Sequence, residues 1–208
     1  MYIPDHFVLN DEEEVRAIIA AKPLASFATN GEGGPEVTHL PLVAHDEVDG
    51  LVLYGHFARA NPHWKMLDGK APALAVFTGP EGYISPSWYE TKHETGKVVP
   101  TWNYVVVHAR GVPEILTHGP DSREAIDTLT DTMEQPREDR WRVSDAPEPY
   151  TESMMRGIVA LRMVVTDLKA KAKLSQNRSS ADFDGAMDGL TRDGETELAE
   201  AMRAAKPE

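Results

Sequence analysis

The chain has 208 residues, 41% of them hydrophobic and 26% charged, and its 21 Lys+Arg against 34 Asp+Glu give a formal charge of -13. That length allows one well-buried core with an appended helical piece, and no apolar run approaches the ~20 residues needed to cross a bilayer. With no cysteine there is no disulfide framework, thiolate metal site or cysteine nucleophile, and the acidic balance opposes the phosphate backbone of DNA.

The opening MYIPDHFVLNDEEE has neither a basic start nor an apolar centre, so it does not read as a signal peptide, and a cytoplasmic protein fits. Asn10 followed by Glu13 forms a capping-box pattern with an acidic first turn, and Val15, Ile18 and Ile19 supply an apolar stripe. A helix is expected there, stopped by Pro23. Residues 24–29 then read as a strand, 30–35 as a turn rich in residues that tolerate positive φ, and 36–44 as a second strand. Pro41 removes a ladder donor, so that strand is expected to lie at an edge, to bulge or to face a ligand. Strands are expected over 51–56, 73–78 and 98–116, with breaks at Gly79-Pro80 and near Gly111 and Pro113. Asp121 with Glu124 forms another capping box ahead of Ile126, Leu129 and Met133 at helical spacing. Residues 135–149 read as an exposed connection, 158–168 as a strand, and two short helical pieces finish the chain. Short strands joined by tight turns favour an antiparallel barrel or sandwich over a parallel βαβ fold.

Three segments could carry chemistry. In GHFARANPHW (residues 55–64), Asn61 is a cap type, Pro62 suits a first helical position and Gly69 can close the helix. Backbone donors at such a start, with Arg59 beside them, suit an anion, although a plain capped helix explains the same residues. GYISPSWY (82–89) and VPTWNYVVVH (99–108) concentrate aromatic side chains and small hydroxyls, which fits either a wall for a planar ligand or a core or dimer interface. KLSQNR (173–178) carries donors suited to carbonyls and phosphates, and Lys169, Lys171, Lys173 and Arg178 form the one modest basic concentration. The histidines show no HxH or HExxH spacing, and no glycine-rich nucleotide loop is present. His39, His56 and His108 fall in strands and read as structural.

MYIPDHF, HLPLV (39–43), GHFARANPHW, GYISPSWY with VPTWNY, and KLSQNR occur in an order that resembles the PaiB family, FMN-binding proteins described as negative transcriptional regulators. The resemblance covers nearly the whole chain. It implies a mostly β fold with peripheral helices (α+β), an FMN-binding split antiparallel β-barrel similar to pyridoxamine phosphate oxidase. Residues 1–208 would form a single domain, with 170–208 a tail packing on the barrel or the partner subunit. It also implies a homodimer with FMN at the interface and no membrane association.

By the same resemblance, His39, Leu40, Pro41 and Leu42 would run along the isoalloxazine through main-chain groups, and Tyr54 through Asn61 would hold the phosphate. The oxidase-like pattern has adjacent basic residues where Ala60 and Asn61 stand, leaving Arg59 as the only charge. Thr101, Trp102 and Asn103 would wall the pocket, with Lys173, Ser175, Gln176, Asn177 and Arg178 reaching it from the partner. The implied role is transcriptional regulation, direct or indirect, with direct DNA binding disfavoured by charge. An FMN-dependent oxidoreductase acting on a small substrate is the alternative, with His108 as the acid–base candidate. A groove for haem or another planar ligand is the third reading.

Overall fold

The computed structural model describes residues 1–117 and 119–206. Strand β1 (Val8–Leu9) precedes helix α1 (Glu12–Ala21), whose cap is Asp11 rather than Asn10. The Asp11 carboxylate accepts from the Glu14 N–H at 2.9 Å, which places the acceptor one residue later than expected and still leaves three glutamates in the first turn. Strands β2 (Leu24–Gly31) and β3 (Gly34–Glu47) form a hairpin closed by Glu32-Gly33, where Gly34 takes the positive φ of 110°. β4 (Gly50–Ala58) returns along β3.

Pro41 sits inside β3 without disturbing it. β3 pairs with β2 up to Pro41, opposite Leu24, and with β4 from Leu42, opposite Gly55. The proline therefore occupies the switch between two ladders, where a missing N–H costs least.

The remaining strands are longer than the sequence suggests: β5 (Ala73–Ile84), β6 (Thr101–Leu116) and β7 (Ile158–Lys173). β5 and β6 run unbroken through Gly79-Pro80 and through Gly111 and Pro113. These glycines serve close packing instead of turns. A Cβ on Gly79 would meet Val105 Cβ at 3.1 Å, and one on Gly111 would meet Val164 O at 2.0 Å. The strands pair in the order β1-β7-β4-β3-β2-β5-β6, with a further β6–β7 pairing that closes the hydrogen-bonded order on itself.

Helices α2 (Glu90–Thr95), α3 (Pro120–Glu134), α4 (Glu148–Arg156), α5 (Ser180–Asp193) and α6 (Thr196–Ala204) complete the order. α3 is capped at Gly119, whose N–H donates to Ser122 Oγ, so the expected Asp121–Glu124 box is not used. α4 follows the exposed 135–142 stretch, and its prolines and charge hide it from a sequence reading.

The chain divides into two compact units. One comprises Arg16–Phe77 and His108–Leu168, and its fully buried side chains include Ile19, Phe27, Leu42, Leu53, Phe57 and Met163. Each such side chain contributes about 1.5–3 kcal/mol of burial. α3 packs on β4 within it. The other comprises Met1–Val15, Thr78–Val107 and Lys169–Glu208, where α5 and α6 pack together over Phe183, Leu190 and Met202. Among the described residues no helix is long and apolar enough to cross a membrane.

Candidate functional site

The sequence-predicted residues gather into two clusters, one in each unit. The first is built on the turn after β4. Asn61 caps a five-residue 3-10 helix, Pro62–Met66, by accepting from the His63 N–H at 2.9 Å. The expected helix to Gly69 is therefore a single tight turn, too short to aim several free N–H groups at an anion. Arg59 carries the positive charge here. Its Nε and a terminal N–H donate to Arg156 O and Ile158 O, each at 2.6 Å, while its own backbone N–H donates to Gly157 O at 2.8 Å. Three successive carbonyls at the end of α4 and the start of β7 thus fix an exposed guanidinium. Ala60 is exposed beside it.

The group that organises this turn was absent from the sequence reading. His63 is fully buried, its two ring nitrogens 2.8 Å from Thr29 Oγ1 and 2.8 Å from Thr38 Oγ1, and Asn61 Nδ2 donates to Thr38 Oγ1 at 3.0 Å. Its ring packs against Phe27 and Phe57 at 5.8 and 5.5 Å between centroids. Burial holds its pKa below the ordinary histidine value, so the ring is neutral, with one donor and one acceptor for two hydroxyls. The position of Pro62-His63-Trp64 directly after a cap residue was the only available signal.

Along β3, Leu40 and Leu42 point into the core and His39 and Pro41 are exposed. A ligand beside this stretch would meet those two side chains and the main chain. Tyr54 turns elsewhere. Its hydroxyl donates to Glu47, which also accepts from Arg162 at 2.6 Å, and the three line a cavity of about 520 Å³ together with Glu114, Asp121 and Glu124. The Tyr54 hydrogen bond first, and then Arg162, hold the Glu47 carboxyl below its usual range. Burial raises the Tyr54 phenol.

The second cluster joins VPTWNY to KLSQNR within one chain. Lys173 Nζ donates to Thr101 Oγ1 and to Trp102 O. Asn103 and Ser175 are both buried and bind one another, Asn103 Nδ2 donating to Ser175 Oγ at 2.9 Å. That pair holds Ser175 at a φ of 66°, a left-handed conformation that costs a serine energy. Gln176 closes the strand end, donating to Ala172 O at 2.7 Å and accepting from the Leu174 N–H at 2.8 Å. Asn177 is exposed, and the Arg178 guanidinium lies 4.9 Å over the ring of fully buried Tyr89. Asn103, Ser175 and Gln176 therefore spend their polar atoms on the fold, while Trp102, Lys173, Asn177 and Arg178 face outward or lie half-buried. Burial first, then Lys171 and Arg178, keep the Lys173 ammonium below the ordinary lysine pKa. Among the described residues no group of three His, Cys, Asp or Glu could hold a metal.

Comparison with known proteins places the chain in a family. The family described as "Putative FMN-binding domain" matches residues 1–167. The chain is 33% identical over 183 residues to Protease synthase and sporulation protein PAI 2 of Bacillus subtilis, covering 88% of this chain and 86% of that protein. It is 32% identical over 171 residues to the uncharacterized protein YKL070W of Saccharomyces cerevisiae, covering 72% of this chain and 100% of that protein. Its fold is similar to that of the FAD and heme binding protein from Mycobacterium smegmatis, with a TM-score of 0.61, 18% identity, and 86% and 78% of the two chains covered. The flavocytochrome Anf3 from Azotobacter vinelandii is similar at a TM-score of 0.60 and 17% identity, over 82% and 72%. Because the family match takes in both the Arg59 turn and the Trp102 strand, and the PAI 2 likeness spans 88% of the chain, this protein belongs to the FMN-binding domain family of PAI 2.

Proposed function

We propose that this chain is a homodimeric FMN-binding protein of the PaiB type that acts as a negative transcriptional regulator without itself gripping duplex DNA. The observation that carries the cofactor assignment is Arg59, an exposed guanidinium locked by the carbonyls of Arg156 and Ile158. A guanidinium held in place in this way loses little side-chain entropy on meeting a phosphate. Arg59, Ala60 and Asn61 are assigned to the phosphate end. His39 and Pro41, with the main chain through Leu40 and Leu42, are assigned to the ring. Thr101, Trp102, Lys173, Asn177 and Arg178 are assigned to the cofactor's surroundings. Bound FMN supplies one- and two-electron chemistry, and this chain supplies the binding and the electric field.

Indirect regulation follows from the charge pattern. In a chain of formal charge -13, Arg16, Arg110, Arg123, Arg137 and Arg162 each sit against a carboxylate. Cations already paired in this way offer little to a phosphate backbone. The second reading, an FMN-dependent oxidoreductase on a small substrate, is favoured by the half-exposed Trp102 and Tyr83 rings, which pack on one another, Trp102 lying on the strand whose Thr101 hydroxyl and Trp102 carbonyl meet Lys173.

The deciding experiment is the absorbance spectrum of the purified protein together with its mass in solution. Flavin bands with FMN released on denaturation, at twice the chain mass, are expected. Colourless protein that takes up no added FMN overturns the reading, and a haem Soret band replaces it. Arg59→Ala should lose affinity for FMN about tenfold more than for riboflavin; equal losses remove Arg59 from the phosphate. Reduction of bound flavin by NAD(P)H favours the oxidoreductase, and salt-sensitive binding to a promoter fragment favours direct regulation.

A further inference from the structure

Within the unit formed by Arg16–Phe77 and His108–Leu168, a cavity of about 200 Å³ is lined from β4, α3, α4 and the stretch that joins the two helices. None of its lining residues is an Asp, Glu, Lys or Arg, in a chain that is 26% charged, and none is among those assigned to FMN. Ile126 of α3, Trp141, and Tyr150, Met154 and Met155 of α4 form much of its wall. Tyr150 and Met154 stand one turn apart on α4 and, with Trp141, are 57%, 50% and 49% exposed. The Trp141 backbone N–H donates to the Glu134 carboxylate at 3.2 Å, which ties that residue to the end of α3. Large apolar side chains that cluster around a hollow, instead of lying scattered, mark a binding site.

Size, wall chemistry and one unmet polar atom define the occupant. An apolar cavity of about 150 Å³ holds one benzene ring, so about 200 Å³ takes a single ring with a small substituent. Indole and phenol walls meet such a ring through its face or edge, and the two methionine sulfurs add soft contacts that adapt to its shape. Burial keeps the His56 imidazole below the ordinary histidine pKa, so the cavity presents no charge, and a charged guest would lose its hydration there without return. The His56 Nδ1 is buried and has no hydrogen-bond partner among the described residues, although a neutral imidazole has one donor and one acceptor to offer. A guest with one hydroxyl brings a partner to that ring.

We propose that this cavity binds a small neutral phenol, its ring among Trp141, Tyr150 and Met154 and its hydroxyl on the His56 imidazole. His56 selects the hydroxyl, and the uncharged walls select neutrality. The site shares no residue with the Arg59 turn, and the proposal stands whether or not flavin binds.

Calorimetric titration of the full chain with phenol, toluene and benzoate at pH 7 tests it, with FMN present at saturation so that a flavin site is closed to the probes. The three share a ring and differ in hydroxyl and charge. Phenol should bind about fivefold more tightly than toluene and about tenfold or more above benzoate. His56→Phe should erase the preference for phenol over toluene while toluene still binds. Ala146→Leu, which fills the cavity from a half-buried position, should weaken both neutral probes alike. Thermal unfolding shows whether each variant is folded, and Tyr150→Ala, at an exposed position, makes the same test as Ala146→Leu if that variant is not. Benzoate bound as tightly as phenol, a phenol preference that survives His56→Phe, or binding untouched by Ala146→Leu and Tyr150→Ala overturns the proposal. So does an affinity that falls as chain concentration rises, which would give this face to a second copy. The same order of affinities is expected of flavin-free protein, so a failure of the cofactor reading leaves this one to be decided by its own titration.

Discussion

The carbonyl oxygen of Pro41 lies 2.7 Å from the place a Cβ on Gly55 would occupy, with Leu42 Cδ2 at 2.6 Å. Gly55 opens the GHFARANPHW segment, and its missing side chain lets β4 approach β3 where β3 changes ladder partners. The first prediction concerns this contact. Gly55→Ala should lower unfolding stability by about 1–3 kcal/mol in urea titration, because a peptide oxygen cannot move aside as a side chain can. Gly33→Ala, with nothing within 4 Å, should stay within about 0.5 kcal/mol of the parent. Similar losses at both positions would refute the close approach.

The Trp88 indole sits against α5, where a Cβ on Gly189 would come within 2.2 Å of the ring. Gly189→Val should therefore destabilise more than Gly33→Val, by about 2 kcal/mol or more, through forced displacement of a large side chain. Thermal unfolding followed by tryptophan fluorescence reports it, and an unchanged melting curve counts against the packing.

His63 predicts a pH dependence. Burial depresses the pKa of His63, and also those of His56 and His108, below 6.5 in the folded chain. The unfolded chain therefore binds protons that the folded chain refuses. Stability is fully present above about pH 6.5 and falls as pH drops below it, by up to about 1.4 kcal/mol per pH unit for each histidine that stays neutral. The urea midpoint should decline between pH 7 and 5, and His63→Gln should flatten that slope while lowering stability at pH 7. A His63→Gln slope equal to the parent's assigns the acid sensitivity elsewhere.

Glu47 predicts a further loss at lower pH. Its carboxyl is lowered first by the Tyr54 hydroxyl and then by Arg162, so the stability it adds is present above about pH 4.5 and is lost as pH falls through the depressed folded value. At side-chain exposures of 31% and 20% the Glu47–Arg162 pair is partly screened. Glu47→Gln should cost about 1 kcal/mol or less at pH 7 and progressively less as pH falls below about 4.5. A cost that does not shrink on acidification would mean shape, not charge, matters there.

Asn103 and Ser175 test what the KLSQNR turn does. Asn103→Ala leaves a buried serine hydroxyl short of a partner and should destabilise by about 1–3 kcal/mol. Flavin affinity measured on the folded fraction should hardly change, because neither polar group reaches a surface. A large affinity loss in fully folded Asn103→Ala protein would return Asn103 to the cofactor wall.

Much of the fold was legible in order and period. The β-rich middle, the helix ahead of Pro23 and the two closing helices all appear, because alternating burial and cap residues act over a few positions. Strand ends were not legible, since Gly79, Gly111 and Pro113 read locally as breakers. Val105 and the Val164 carbonyl, distant in sequence, decide that two of them are close-packing points instead. The candidate site divides in the same way. Motif order alone identified the Arg59 turn and the PTWNY and KLSQNR segments, because those residue types are local choices. Only the tertiary structure decided which atoms remain for a ligand. It spends Asn103, Ser175 and Gln176 on the turn, draws Tyr54 to Glu47 and Arg162, and brings Thr29, Thr38 and His63 together. Hydrogen bonds between residues 25–115 positions apart depend on register and burial, and a linear sequence carries neither explicitly.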